Sequence, residues 1–449
     1  METVIIIVFV LGYLAITLEH TLKIDKLIPA LVMMAVSWAL ISFGIDDFQT
    51  WFDSSKHALS ENFQFLDHDD KMYVLEETLL HHLGKTAEIL VFLLGAMTIV
   101  EIIAYFNGFS TIKNFIKTKK KSKLLWIFAS LAFVLSAIID NLTATIVLVS
   151  LLQKIIKNRK MRLWFAGLIV IAANAGGAFS PIGDVTTTML WIGGQISPLN
   201  IMKQTFLASL VCMVVPTLMI NYMIKGKIEL RANVENSLNF NTNSFERNLI
   251  FYVGIGCLLF IPLFKTLTNL PPYMGMFLSL GIIWTLTELI HNKKHVNEKG
   301  ILSVSHALRK IDTPSILFFF GILLSIASLE VVGVLPQMAS TLNSSIGNLN
   351  LVAICIGLLS AVFDNVPLVA ALQSMYSLND YPQDHYFWEL LAFTAGTGGS
   401  CLIIGSAAGV AVMGIEKIDF FWYLKKISWI ALIGFIAGVA TFLIQHYLQ

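Results

Sequence analysis

The chain has 449 residues, of which 56% are hydrophobic and 13% are charged, and its formal net charge is +1. Soluble domains carry about 25% charged residues, so this composition excludes an ordinary soluble protein. A net charge so close to zero also argues against a nucleic-acid partner. Apolar runs of about 20 residues recur along the whole chain, which predicts a polytopic helical protein with the lipid bilayer as its partner.

The first two apolar runs, about Val4–Leu22 and Leu27–Phe43, predict two spanning helices. The first run has no basic flank and no small-residue cleavage site, so we expect it to be retained and not removed as a signal peptide. Residues 45–85 are polar and acidic and predict an exposed loop with room for an amphipathic helix. The third span is predicted at about Glu88–Phe106. Without an Arg/Ser-rich transit peptide, the N-terminus favours a bacterial inner membrane.

The apolar run Leu124–Ile156 has basic clusters at both ends. Short basic loops lie on the cytoplasmic side, so both ends are predicted to lie there. The run is long for one span and short for two, which favours a re-entrant helical hairpin with Asp140-Asn141 at its tip and Thr143 just beyond it. A single long tilted helix is the alternative. An acid inside a membrane segment is a candidate functional residue in either case.

The next apolar run, about Leu163–Ile192, is predicted to be a broken helix. Glycine and proline continue a helix poorly, and the run contains Gly176, Gly177, Pro181 and Gly183. The same stretch also supplies polar side chains: Asn174, Ser180, Asp184, Thr186 and Thr187. Side-chain oxygens next to unpaired backbone carbonyls predict an ion-binding site.

Three further spans are predicted at about Thr205–Ile224, Leu249–Phe264 and Tyr273–Ile290. The segment between the first two is rich in Asn and Ser and contains basic residues, so it reads as a cytoplasmic linker between two halves of the chain. The two later spans are predicted to act as scaffold for the second half. A basic loop after them returns to the cytoplasm.

The second half repeats the pattern of the first. A span at about Pro314–Glu330 precedes the run Leu349–Tyr376, which carries a second pair, Asp364-Asn365, at about the same relative place. Its flanks, 331–348 and 377–386, contain no Lys or Arg, so this hairpin is predicted to enter from the extracytoplasmic side. A second broken helix is predicted over 387–414, with these glycines and polar residues: Gly398, Gly399, Gly405, Thr394, Thr397, Ser400 and Ser406.

Together these elements predict an all-α polytopic membrane protein with an inverted-topology repeat. It would have about ten transmembrane helices, two re-entrant hairpins and two broken helices, with both termini extracytoplasmic. The predicted divisions are N-terminal scaffold and acidic loop (1–85), first repeat (86–225), linker and scaffold (226–312) and second repeat (313–449). Inverted repeats place the substrate site near the membrane midplane, between discontinuous helices.

Three segments carry a family resemblance: Ser136–Asn141, Gly176–Trp191 and Ser360–Asn365. They resemble the NhaD family of sodium/proton antiporters, which belongs to the ion transporter superfamily together with arsenite pumps and dicarboxylate carriers. The resemblance covers nearly the whole chain, and Gly176–Trp191 is its most specific part. It implies exchange of sodium or lithium for protons, and a homodimer. Residues 45–85 match no motif of the family.

The resemblance and the residues together predict the chemistry of the site. Sodium is a hard cation that prefers oxygen ligands, and Asp140, Asp184 and Asp364 are the predicted metal-binding carboxylates. Burial disfavours the charged form of a carboxyl group, so protons can compete with sodium for it. A bare charge at mid-membrane costs at least about 2.5 kcal/mol, which would keep the empty carrier from reorienting. No cofactor is expected besides the transported ions.

Other functions stay open at this point. A dicarboxylate would be repelled by acids at both hairpin tips, whereas arsenite carriers also place Asp-Asn near the hairpin. A membrane enzyme is not expected, because neither a His-Glu-x-x-His nor a Gly-x-Ser-x-Gly motif occurs in a span. A channel would not need a two-fold repeat with paired broken helices.

Overall fold

A computed structural model describes residues 1–17, 19–53, 58–60, 62–115, 118, 120–224, 243–291 and 304–448. Much of the predicted cytoplasmic linker lies outside these residues. The main helices are Glu2–Thr17, Leu27–Phe43, His68–Tyr105, Lys121–Ile139, Asn141–Ile155, Arg159–Ala178, Val185–Ile192, Pro198–Met223, Ser244–Thr268, Pro272–His291, Thr313–Val331, Val334–Ile346, Leu349–Leu359, Asn365–Met375, Tyr386–Gly398, Ala407–Glu416 and Trp429–Tyr447. Two short strands, Trp51–Asp53 and Ala58–Ser60, pair antiparallel.

The described part of the chain has eight helices that are long and apolar enough to cross a membrane. The count rises to nine if the pair Val334–Ile346 and Leu349–Leu359, bent by 114°, forms one span. A polytopic helical membrane protein is therefore confirmed. Three predicted spans are not counted because their helices are short: the first two apolar runs form helices of 16 and 17 residues, and the second broken span begins with a helix of 13 residues. One helix that is counted, Lys121–Ile139, was predicted to be part of a hairpin. The inverted repeat stays a prediction.

The acidic region 45–85 contains part of a helix, for which the predicted exposed loop left room. A helix of 38 residues, His68–Tyr105, runs through its second part and continues into the predicted third span. Asp69 and Asp70 lie in its first turn, where the helix dipole favours negative charge. The backbone hydrogen bonds of a helix form with polar and apolar side chains alike, so a helix can extend beyond an apolar segment. This helix begins some twenty residues, or about five to six turns, before the predicted span.

One compact unit comprises 1–91, 312–352 and 366–383. Within it, helices Leu27–Phe43 and Thr313–Val331 pack closely. A side chain at Gly321 would collide with the backbone of Ala30, and Trp38 Nε1 donates to the carbonyl of Leu324 at 2.9 Å. These contacts bring a helix from each half of the sequence into one unit.

The second compact unit comprises 92–311, 353–365 and 384–449 and holds the predicted site residues. Helix Arg159–Ala178 is buried here against Lys121–Ile139, Asn141–Ile155 and Pro198–Met223. The chain leaves helical geometry between Ala178 and Val185, and again between Cys401 and Ala407 after a short 3₁₀ turn. These two non-helical segments carry the site described next. The predicted division at residues 85, 225 and 312 stays a prediction.

Candidate functional site

Glycines let the first helix of each interrupted pair contact a neighbouring helix directly. A methyl group on Gly176 would overlap the carbonyl oxygen of Phe133, and one on Gly398 would overlap that of Gly357. Gly176 and Gly177 lie inside helix Arg159–Ala178 and not in the break itself. Neither they nor Gly398 needs positive φ. Their role is close backbone approach, and the interruption follows them.

The same crossing is present at both interruptions. Ser136 Oγ donates to the carbonyl of Ala173 at 2.5 Å, and Ser360 Oγ donates to that of Ala395 at 3.0 Å. Gly183 and Gly405 also approach the backbone of a neighbouring helical segment. A methyl group on Gly183 would lie 2.7 Å from the carbonyl oxygen of Ser136, and one on Gly405 would lie 2.5 Å from that of Ala361. The residues before each Asp-Asn pair are thereby fixed against one of the interrupted helices.

Asp184 is the N-cap residue of helix Val185–Ile192 and is 4% exposed. Its Oδ2 accepts a hydrogen bond from Thr186 Oγ1 at 2.8 Å, and its carbonyl accepts one from Thr187 Oγ1 at 2.9 Å. The carboxylate therefore stands at the positive end of a short buried helix.

The asparagines of both Asp-Asn pairs reach this carboxylate. Asn141 Nδ2 donates to Asp184 Oδ1 at 3.3 Å, and Asn365 Nδ2 donates to Asp184 Oδ2 at 3.0 Å. Each asparagine is the first residue of its helix and is 6% exposed. One buried carboxylate thus collects a donor from each of the two Asp-Asn pairs, although these are far apart in sequence.

Asn174 extends the network to the second interruption. Its Oδ1 accepts from Asn141 Nδ2 at 3.2 Å, and its Nδ2 donates to Ser400 Oγ at 2.9 Å and to Ser406 Oγ at 3.0 Å. Ser406 in turn caps helix Ala407–Glu416 by accepting from Gly409 N at 3.1 Å. A continuous chain of polar side chains therefore joins the starts of the two short helices.

Asp140 lies where its apolar run changes from one helix to the next, and its role as an ion ligand stays a prediction. It is the single residue between helices Lys121–Ile139 and Asn141–Ile155, which pack against each other. Its oxygens accept from Thr143 N at 2.8 Å and Thr143 Oγ1 at 2.9 Å, an N-cap arrangement. Its φ of 78° is a conformation that costs a non-glycine residue on the order of 1–3 kcal/mol, a kind of strain that clusters at functional sites.

Asp364 lies directly before Asn365 and is half-buried.

Several other predicted site residues bond to backbone carbonyls instead of to Asp184. Ser180 Oγ donates to Ala137 O at 2.5 Å, and Thr397 Oγ1 to Phe393 O at 2.6 Å. Thr394 Oγ1 donates to Ala353 O at 2.8 Å. Ser180 and Thr394 thereby join neighbouring helical segments, whereas Thr397 bonds within its own helix. Pro181 lies in the non-helical segment itself, and Thr188 Oγ1 donates to its carbonyl.

One buried contributor was not predicted from the sequence. Tyr423 is fully buried and its hydroxyl donates to the carbonyl of Ser400 at 2.9 Å. Tyr423 ends the short helix Phe420–Tyr423, which precedes Trp429–Tyr447 and consists of aromatic residues alone. No local signal distinguishes it, since only the tertiary fold brings it to the 3₁₀ turn.

Comparisons with known proteins agree with this architecture. A model of the citrate transporter family matches residues 5–398. Sodium/proton antiporter 1 of Arabidopsis thaliana is 46% identical over 445 residues, covering 99% of this chain and 72% of the relative. Sodium/proton antiporter 2 of the same plant is 43% identical over 442 residues, 98% of this chain and 99% of the relative. NhaD of Alkalimonas amylolytica is 29% identical over 466 residues, covering 98% of this chain and 90% of the relative.

The chain belongs to the NhaD-type antiporters of the citrate transporter family. The NhaD resemblance is thus confirmed, and so is the expectation that the protein is a transporter and not an enzyme. Membership in the NhaD group also agrees with a multi-pass membrane protein. Because relatives occur in a plant as well as in bacteria, the bacterial inner membrane stays a prediction. The homodimer also stays a prediction.

Proposed function

We propose that this protein exchanges cytoplasmic sodium or lithium for external protons at the Asp184 cluster, which we define as Asp184, Asn141, Asn365, Asn174 and Thr186. The observation that carries the proposal is the convergence of Asn141 and Asn365 on the two oxygens of one buried carboxylate. The relatives from Arabidopsis thaliana and Alkalimonas amylolytica are sodium/proton antiporters by name, which supports the choice of ions.

The donors around Asp184 suit its ionised form. Two amides and one hydroxyl donate to its two oxygens. An ionised carboxylate only accepts hydrogen bonds, whereas a protonated carboxyl group also has an O–H that must donate. An amide also has an oxygen, so a turn of Asn141 or Asn365 would exchange an N–H donor for a carbonyl ligand. The same side chains can thereby satisfy the empty carboxylate and then help to coordinate a sodium ion as oxygen ligands.

Competition between sodium and a proton would drive exchange. A proton on Asp184 neutralises the carboxylate and removes its attraction for the cation. An unpaired carboxylate inside the membrane is costly, so the sodium-loaded and the protonated forms would reorient while the empty charged form would not. One proton entering for each sodium released from this group is the smallest cycle that obeys this rule. In the proposal the site lies near the membrane midplane and works by alternating access.

Asp140 and Asp364 are proposed as secondary groups of the same site. Asp140 caps the helix that Asn141 begins, so its charge is fixed close to the cluster. Asp364 adjoins Asn365 in the same way. Their loss would change the placement of the two amides as well as the charge of the site. The polar residues Ser180, Ser400, Ser406, Thr143, Thr187, Thr394 and Thr397 are proposed to hold this frame.

An anionic substrate fits the cluster less well, although the family is named for citrate transport. The groups that bond to the Asp184 carboxylate are neutral amides and a hydroxyl, so they leave its negative charge uncompensated. A tricarboxylate entering the cluster would be repelled by that charge. This geometry therefore favours a cation.

The proposal is tested by dequenching of a pH-gradient dye in everted membrane vesicles after addition of sodium, lithium, potassium, arsenite or citrate. We expect a response to sodium and lithium alone. Asp184→Asn, Asp140→Asn and Asp364→Asn should each abolish it while the protein stays in the membrane at normal amounts. Asp419→Asn is the control, because Asp419 only caps a short helix by accepting from Trp422 N. A normal sodium response in Asp184→Asn would overturn the proposed site.

A further inference from the structure

Glu389 is a buried acid that the proposed exchange does not use. It is 3% exposed and lies in the first turn of helix Tyr386–Gly398. Asn200, at the start of helix Pro198–Met223, donates from Nδ2 to Glu389 Oε1. An acid within a membrane segment and paired with a neutral amide is a candidate for handling ions or protons.

The helix of Glu389 leads directly to Asp184. Gly396 follows Glu389 by seven residues, a spacing that puts both on the same face of the helix two turns apart. A methyl group on Gly396 would lie 3.3 Å from Asp184 Oδ2. Because an α-helix rises 1.5 Å per residue, Glu389 lies about 10 Å along the helix axis from the contact with Asp184.

Glu389 is also next to the predicted external surface. The chain just before it crosses the segment 193–197, with Asp384 N donating to Gln195 O at 2.8 Å and Ser197 N donating to Asp384 Oδ1 at 2.6 Å. The segment 377–386 contains no Lys or Arg, which places this end of the helix on the extracytoplasmic side. The titratable side chains beside Glu389 are Asp384, His385 and, stacked on Tyr386, His446.

We infer that Glu389 is the external proton-loading group of the transporter, the residue that receives a proton from outside before it reaches Asp184. This inference rests on the proposed function. A hydronium ion from the external water gives a proton to a carboxylate oxygen of Glu389 and becomes water. The neutral acid then passes that proton, through water, to the Asp184 carboxylate as sodium leaves outward. One O–H bond forms and one breaks at each transfer, and Glu389 returns to its carboxylate form.

The competing explanation is structural, because an acid in the first turn of a helix is favoured by the helix dipole. The two roles differ in which exchange modes they affect. Exchange of labelled sodium for unlabelled sodium needs Asp184 and reorientation but no proton from outside. Exchange of sodium for protons needs Asp184, reorientation and a proton from outside. A proton-loading group matters only for the second mode, whereas a structural group matters for both.

The experiment uses the purified full chain in proteoliposomes and measures both modes for Glu389→Gln, Glu389→Asp and the wild type. We expect Glu389→Gln to slow sodium/proton exchange at least tenfold and to leave sodium/sodium exchange within twofold of the wild type. Glu389→Asp should restore most of the sodium/proton exchange. Glu416→Gln is the matched control: Glu416 is equally buried, at 3% exposed, but its partner is Arg162. It should change both modes by the same factor.

Two results would overturn the inference. Glu389→Gln could slow both modes equally, as the control does, which indicates a structural role. It could also leave sodium/proton exchange unchanged. If instead the wild type performs sodium/sodium exchange but no sodium-dependent proton movement, the proposed function itself fails, and the two failures are thereby distinguished.

Discussion

Asp184 and Ser406 have the same backbone conformation, with φ and ψ of −143° and 150° at Asp184 and −144° and 151° at Ser406. Each is the N-cap residue of the second helix of an interrupted pair. The two interruptions are therefore alike in backbone, yet only one of them carries a carboxylate. The site is built from two equivalent frames with unequal chemistry, and the charge is confined to one of them.

Ser406 is expected to contribute structure and not charge. Ser406→Ala removes the acceptor for Gly409 N and for Asn174 Nδ2, so we expect it to lower the free energy of unfolding by about 1 kcal/mol, as the loss of an N-cap usually does. Thermal unfolding of the purified protein measures this. Ser406→Thr keeps the hydroxyl and is the control. Equal unfolding temperatures for the alanine variant and the wild type would contradict the assignment.

The glycines at the helix crossings are expected to be intolerant of a methyl group. Gly398→Ala forces the new carbon against the carbonyl oxygen of Gly357, and overpacking of this kind typically costs about 1–3 kcal/mol. Gly414→Ala, in helix Ala407–Glu416, meets nothing within 4 Å and is the matched control. We expect a lower unfolding temperature for Gly398→Ala alone. If both variants unfold like the wild type, backbone approach is not what Gly398 provides.

The sequence predicts these interruptions because glycine and proline in an apolar run are local signals. Asp184 and Ser406 could be matched for the same reason, since the two glycine-rich segments align. The long-range pairing could not be predicted. That Asn141 and Asn365 converge on Asp184, while Asp140 caps its own helix through Thr143, depends on how distant helices cross. Gly176 and Gly177 looked like helix breakers because close backbone approach leaves no trace in the local sequence.

The ion pair between the half-buried Arg162 and the buried Glu416 joins the start of one interrupted helix pair to the end of the other. Arg162 Nε lies 3.0 Å from Glu416 Oε1, and Arg162 Nη1 donates to Ile156 O at 3.1 Å. Removing one partner of a buried pair leaves a charge without its counterpart and costs about 3–5 kcal/mol. We expect Glu416→Gln to lower stability strongly.

The double variant Arg162→Gln, Glu416→Gln should recover part of that loss, because no charge is then left unpaired. Thermal unfolding of the two single variants and the double variant completes the cycle. Strictly additive losses would contradict a direct interaction between the two side chains.

Asp46 offers a test by pH outside the membrane-spanning helices. A hydrogen bond from His68, 2.8 Å away, and the nearby Lys71 hold the pKa of Asp46 below its ordinary value of 3.8. A lowered carboxyl pKa contributes stability that is present above the ordinary value and is lost as the pH falls through the lowered one. Because the pair is exposed, we expect a small effect that salt screens.

Asp46→Asn should therefore unfold at a slightly lower temperature than the wild type at neutral pH, and the difference should vanish in strong acid. Melting curves of both proteins across this pH range measure it. A difference that persists unchanged below the carboxyl range would rule out the Asp46 charge as its cause.

The most direct test of the Asp184 cluster is proton release when sodium is added to the purified, weakly buffered protein in detergent. If sodium and a proton compete for Asp184, the wild type releases protons on addition of sodium and not of potassium, and Asp184→Asn releases none. Proton release of normal size from folded Asp184→Asn would contradict the account.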